Sequence, residues 1–363
     1  MEQRVYNFAP GPAVLPLKVL EEAQRDLLAL PGVGISPLEI SHRSPWFEGV
    51  LNETEANLRR LLNIPANYRI VFMQGGSRLQ FSLVAMNLLR GGGRSADYIV
   101  TGTWGQMAMQ EAAREGAVRA AWQGKPHNFD RLPPPGELDL DPRAAYVHIT
   151  SNETIQGVQF QREPDVGQTP LVCDASSDFL YRPLPMERYG LIYACAQKNA
   201  GPAGVTVVII RDDLLERIGD GLHTMLDYRA YVKEKSLLNT PPVFAVYLVM
   251  LVTRWLLNDV GGLAKMHELN RRKAHMLYEV LDQSRGFYRG HAQPDSRSLM
   301  NVTFRLPDDA TQDDFLKQAK ARGLVELKGH RSVGGIRASV YNAMPIEGVE
   351  KLRDFMREFA KIQ

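Results

Sequence analysis

The stretch YACAQKNAGPAG, residues 193–204, holds one charged side chain, Lys198, and no other charge occurs between Tyr189 and Ile210. Apolar runs flank it, LIYACA (191–196) and VTVVII (205–210). Each is continuous rather than alternating, the pattern of a strand covered on both faces. A lysine beside glycines is ordinarily a solvated loop residue. An ammonium at the end of a buried strand behaves differently, because lost hydration disfavours the charge and frees a nucleophilic amine. Which description fits Lys198 depends on what the rest of the chain puts beside it.

Working outward, RIVFM (69–73), YIVTG (98–102), AYVHIT (145–150) and PLVCD (170–174) are further strand-like runs. They alternate with helical patterns, and helices are expected over 16–30 and 47–62. Strands interleaved with helices predict an α/β fold around a mostly parallel sheet. After a long helix over 263–281 come MNVTFRL, a helix over 311–322, GGIRASVY and a final helix over 346–359. That order predicts a smaller α+β domain. The expected division is a large domain over 16–260 and a small one built from 1–15 with 261–363.

The chain has 363 residues, room for two domains, and a net charge of +2, which gives no electrostatic footing for nucleic acid or membrane binding. Its opening, MEQRVYNFAPGP, lacks the basic-then-apolar order of a signal peptide. The most apolar stretch, VFAVYLVML (243–251), is read as a buried helix too short to span a bilayer. Cys173 and Cys195 lie inside apolar runs and are expected to be reduced, which fits the cytoplasm. The histidines show no HExxH spacing, so no metal is expected.

In a parallel sheet, ligands bind at the carboxyl ends of the strands. Five exits follow the apolar runs: GGSR, TW, SNET, the Asp174 carboxylate, and QK. Gly75, Gly76 and Ser77 open a helix whose N–H groups could hold a phosphate, although a plain N-cap by Ser77 reads equally well. Trp104 is either a core residue or a plate for a planar ring. Asp174 at the end of a buried strand needs a donor or a cationic partner, while Thr154 and Gln197 add neutral hydrogen-bonding groups. Together with Lys198 they meet the needs of pyridoxal 5'-phosphate: an amine to bond, an acid for the ring nitrogen, an aromatic plate and a phosphate cradle.

Across NFAPGPAVLP, EISHRS, QGGSRLQF, SNETIQG, CDASSDF, YACAQKNAGPAG, LLNTPPVFA and LKGHRSVGGIRASVYNAMP, the chain resembles the phosphoserine aminotransferases. These are class-V aminotransferases of pyridoxal-phosphate fold type I, whose large domain carries a mostly parallel seven-stranded sheet. The departures are Cys195, where the family often has glycine, and Ala200, where it often has Ile or Leu. The resemblance implies that Lys198 carries the cofactor and Asp174 partners its ring nitrogen. It further implies that Trp104 stacks on the ring, and that Thr154 and Gln197 bond near its phenolic oxygen and phosphate. Ser77 and Arg78 match the phosphate loop. Asn239 and Thr240 match a pair reaching the phosphate from a neighbouring subunit, which implies a homodimer with shared sites; sequence alone favours reading NTPP as a turn with a proline stop.

For an anionic substrate, His42 and Arg43 in EISHRS and His330, Arg331 and Arg337 in GHRSVGGIR supply the cations. The resemblance implies amino transfer between L-glutamate and 3-phosphohydroxypyruvate. It permits action on the 4-phosphohydroxy-L-threonine of pyridoxine biosynthesis as well. A serine–glyoxylate aminotransferase is the alternative within the same chemistry.

Overall fold

The computed structural model describes residues 4–362. Its central sheet is made of β1 Tyr68–Gln74, β2 Ala96–Val100, β3 Val118–Gln123, β4 Val147–Thr150, β5 Leu171–Asp174, β6 Tyr189–Cys195 and β7 Val205–Arg211, in the order β1-β7-β6-β5-β4-β2-β3. β7 is antiparallel to both its neighbours, and every other pair is parallel. Strands β1 to β6 therefore end on one edge.

The continuous apolar runs follow from burial on both faces. Ile70, Phe72, Ile192 and Ala194 join the core under helices α1 Leu17–Asp26, α2 Pro45–Leu62 and α5 Val243–Trp255. Val71, Met73, Leu191 and Tyr193 point the other way, under α3 Ser77–Leu88 and α4 Thr103–Ala112. Strand β3 escaped the sequence reading. It forms one edge of the sheet, only Ala121 and Trp122 are buried in it, and it lacks a continuous apolar run.

Two helices depart from expectation. α1 stops at Asp26 rather than at residue 30 because the chain turns through Gly32 and Gly34, both at positive φ, leaving Leu28 exposed. Together with the π turn Leu256–Val260, α5 forms an 18-residue segment long and apolar enough to cross a membrane, longer than the sequence suggested. Ala245 to Thr253 of this segment are all buried inside the protein.

Helix α6 Leu263–Gln283 leaves the large core at Met266 and enters a third one at Ala274. That core is built on β8 Arg289–Gly290, β9 Asn301–Arg305 and β10 Ile336–Ser339, with α7 Asp309–Ala321 and α8 Ile346–Ile362. Phe8 from the N-terminal segment is buried in it too.

A fully buried lysine braces the loop through which the two parts meet. Lys273 on α6 donates to the carbonyls of Tyr341 (2.7 Å), Met344 (3.3 Å) and Asn342 (3.4 Å). Asn342 in turn donates its backbone N–H to the side chain of Asn199, the residue after Lys198 (3.0 Å). Burial pushes the Lys273 ammonium down to about 7. Replacing it with Met removes a donor from three carbonyls, of which Tyr341 O still accepts from Met344 N at 3.0 Å, so Lys273→Met should lower unfolding free energy by about 2–4 kcal/mol. Urea titration reads this directly; an unchanged midpoint would contradict the account.

Candidate active site

Ser77, Arg78, Trp104, Thr154, Asp174, Gln197, Lys198, His330 and Arg337 line one cavity of about 410 Å³. The first seven come from the shared edge of the sheet, and the last two reach in from the small domain.

Lys198 sits in the turn after β6, half-buried, and its Nζ donates to Thr154 Oγ1 at 2.7 Å. The same Nζ stands 5.7 Å from the centre of the Trp104 ring. Across the amine lies Gly11, whose φ of +135° favours glycine and where an added Cβ would stand 3.1 Å from Lys198 Cγ. The N-terminal segment thus closes over the lysine stem, with Ala13 N donating to Gln197 O at 2.9 Å.

Asp174 ends β5 and is 4% exposed. Its Oδ1 accepts from the Ser176 N–H at 2.9 Å and from the Ser176 hydroxyl. Burial holds its carboxyl above the usual range, against the opposing pull of Ser176 and of the Lys198 charge. Glu153, fully buried next to Thr154, is pushed up to about 7 by burial, with Gly105 and Trp104 N–H groups pulling the other way.

Helix α3 opens at Gly76 with no side-chain cap and no acidic residue in its first turn; Leu79 N turns back to Gly76 O at 3.0 Å, which leaves the N–H groups of Ser77 and Arg78 and the helix dipole for an anion. Opposite, Arg337 on β10 is 7% exposed with its Nε buried and unpartnered among the described residues. Burial lowers its guanidinium from its ordinary value. His330 beside it is lowered by partial burial first, then by the Arg337 and Arg331 charges.

Not all the expected residues meet here. His42 and Arg43 line a different cavity with Phe72 and Leu237. Arg331 is exposed in the turn that Gly329 and Gly335 close. Asn239 donates to Gln74 of its own chain at 3.0 Å, and Thr240 is exposed. The sequence reading also passed over Gly11, Ser176 and Glu153. All three lay inside quoted motifs, yet their roles require distant segments to meet.

The cavity presents an amine with a buried carboxylate near it, an uncapped helix N-terminus and an unpaired guanidinium. Burying such charges unpaired is costly, so the site is built for a ligand that supplies their partners. Pyridoxal phosphate fits: Asp174 would hold its ring nitrogen, the α3 N-terminus its phosphate, and Lys198 its aldehyde carbon. The fold and the site thus define a pyridoxal-phosphate-dependent enzyme.

The class-V aminotransferase family model matches residues 5–352, and the chain belongs to that family. The phosphoserine aminotransferase of Rhodopirellula baltica is 53% identical over 359 residues, covering 99% of this chain and 96% of that protein. The structure of phosphoserine aminotransferase from Bacillus circulans subsp. alkalophilus matches with a TM-score of 0.96 at 47% identity, over 99% of each chain. The pyridoxal-phosphate-bound enzyme of the same name from Trichomonas vaginalis gives 0.92 at 40% identity, over 98% of this chain and 100% of that one.

The Asp174 shift has a consequence for the cofactor-free protein. A carboxyl raised above its unfolded value binds protons more tightly when folded, so stability falls as pH rises through that interval. Asp174→Asn removes the cost. In urea titrations the cofactor-free variant should gain on the wild type as pH is raised from 4 to 8, while its cofactor affinity drops more than about tenfold. A variant destabilised equally at both pH values would refute this.

Proposed function

We propose that the protein is a phosphoserine aminotransferase, moving an amino group between L-glutamate and 3-phosphohydroxypyruvate to give 2-oxoglutarate and O-phospho-L-serine, a step of L-serine biosynthesis. Relatives at half identity over the full chain carry that name, which does not favour the serine–glyoxylate alternative. The observation carrying the reading is Arg337, a buried guanidinium with a free Nε, facing the Lys198 amine across a cavity that also holds His330. Substrates bearing two anions supply what this side of the cavity lacks.

When bound, the cofactor supplies an electron sink for the carbanion at the substrate's Cα. Arg337 fixes one substrate anion and so sets the Cα position. His330, held toward its neutral form with Nδ1 accepting from Ser332 N, offers its other ring nitrogen to the second anion, and Arg331, exposed next to it, adds charge from outside the cavity. The Lys198 amine, when not bonded to the cofactor, would take the Cα proton as general base and give a proton back as general acid. Thr154 holds that amine in place between the two transfers. Asp174 keeps a proton on the ring nitrogen by presenting a negative charge to it. Trp104 covers one side of the cavity and keeps water from the reacting carbon.

His42, Arg43, Asn239 and Thr240 stand outside the cavity of their own chain, and in a homodimer they would serve the partner's site. An exposed apolar segment, Leu27, Leu28, Val33, Ile35 and Leu38, supports a subunit contact. Buried thiols at Cys173 and Cys195 support a cytoplasmic location.

Steady-state kinetics with glutamate and 3-phosphohydroxypyruvate test the assignment. Lys198→Ala should abolish turnover and still take up cofactor. Arg337→Ala should lower kcat/KM for both substrates on the order of a hundredfold, mostly through KM. Near-normal turnover in the first variant, or unchanged KM in the second, sinks the proposal.

A further inference from the structure

Helices α3 and α4 both begin at the cavity, and their N-termini are treated differently. α3 is left open, as described above. α4 starts at Thr103 with no cap from its own N-cap residue, Gly102. Two of its orphan donors go instead to Glu153, Oε2 accepting from Trp104 N at 3.0 Å and Oε1 from Gly105 N at 2.8 Å, while Thr103 N donates to Gln156 Oε1 at 3.4 Å. Each carboxylate oxygen is thus committed to one backbone N–H of the tryptophan's own turn.

The glycines of TGTWG make room for this. A Cβ at Gly102 would collide with the Glu153 side chain, and one at Gly105 would stand 3.2 Å from Glu153 Oε1. Glu153 lies on the short hairpin of Asn152–Glu153 with Val158–Gln159, directly before Thr154, which holds the Lys198 amine at 2.7 Å. Its carboxylate is completely buried, with Asp174 and Lys198 the nearest charges acting on it. Burying a carboxylate only to cap a helix costs more desolvation than a Ser or Asp at the cap position, which would satisfy the same donors.

We propose that Glu153 is a positioning residue for the reaction: by holding the first turn of α4 it fixes the Trp104 ring relative to Thr154 and Lys198. One side chain then sets two walls of the cofactor cavity. This inference rests on the reading of the cavity as a pyridoxal-phosphate site. Glu153 touches neither the amine nor the carboxylate that do the chemistry, and acts through Trp104.

The test uses the cofactor-loaded protein and reads circular dichroism in the cofactor's absorption band, kcat and KM. Glu153→Gln keeps the shape but turns an amide NH₂ toward one of the two N–H groups. It should change the dichroic band and lower kcat about tenfold, with glutamate KM within about twofold. Glu153→Asp, too short to reach both donors, should do the same. In a Trp104→Ala background the effect of Glu153→Gln on the band and on kcat should largely vanish, because the residue has lost what it positions. An unchanged band and kcat with only a lowered Tm would show a purely structural cap and overturn the proposal. So would a full, additive effect in the Trp104→Ala background. A wild-type protein that develops no dichroic band with cofactor would fail earlier, at the reading of the cavity itself.

Discussion

The site depends on charged groups placed where protein cannot complete them. Asp174 at a strand end, the uncapped N-terminus of α3 and the guanidinium of Arg337 each bear charge or partial charge on the wall of one cavity. Each would destabilise the chain if it stood alone in a core. Around one cavity they form a mould for a molecule with complementary charge at three points. The protein holds this strain in place by anchoring every member to rigid backbone, on a seven-stranded sheet with helices on both faces.

Topology brings these groups together. Because β1 to β6 run in the same direction, their exits share an edge, and residues from Ser77 to Lys198 meet there although 121 positions apart (198 − 77 = 121). The small domain is not merely attached to this edge. Lys273 grips the carbonyls of 341–344, Asn342 reaches Asn199, and the Tyr341 hydroxyl donates to Pro10 O at 2.8 Å. β10, which carries Arg337, leads straight into that clamp. Arg337 is therefore held in register with Lys198, with which it lines one cavity.

Much of this was legible beforehand. Six of the seven central strands announced themselves as continuous apolar runs, since burial on both faces removes any polar alternation. Edge strand β3 did not, because only Ala121 and Trp122 of it are buried. Lys198, Asp174, Thr154 and Trp104 could be read from their places at strand exits. Glu153 could not: its role exists only when SNET folds against TGTWG, and no local pattern encodes that meeting. The cations divided for a similar reason. Arg337 and His330 enter the cavity on the small sheet, whereas His42 and Arg43 lie beside α2, in a different cavity of the same chain.

The central claim is that the cavity reads a phosphorylated keto acid by its cations and carries the amino group on a cofactor bound at Lys198. A single-turnover titration followed by absorbance addresses both halves. The protein is loaded with pyridoxal phosphate, converted to the amine form with glutamate, and then given 3-phosphohydroxypyruvate or unphosphorylated hydroxypyruvate. Efficient return of the original cofactor band with the phosphorylated acid alone is the predicted result. Equal return with both acids would contradict phosphate recognition by His330 and Arg331, and no spectral response to glutamate would contradict amino transfer altogether.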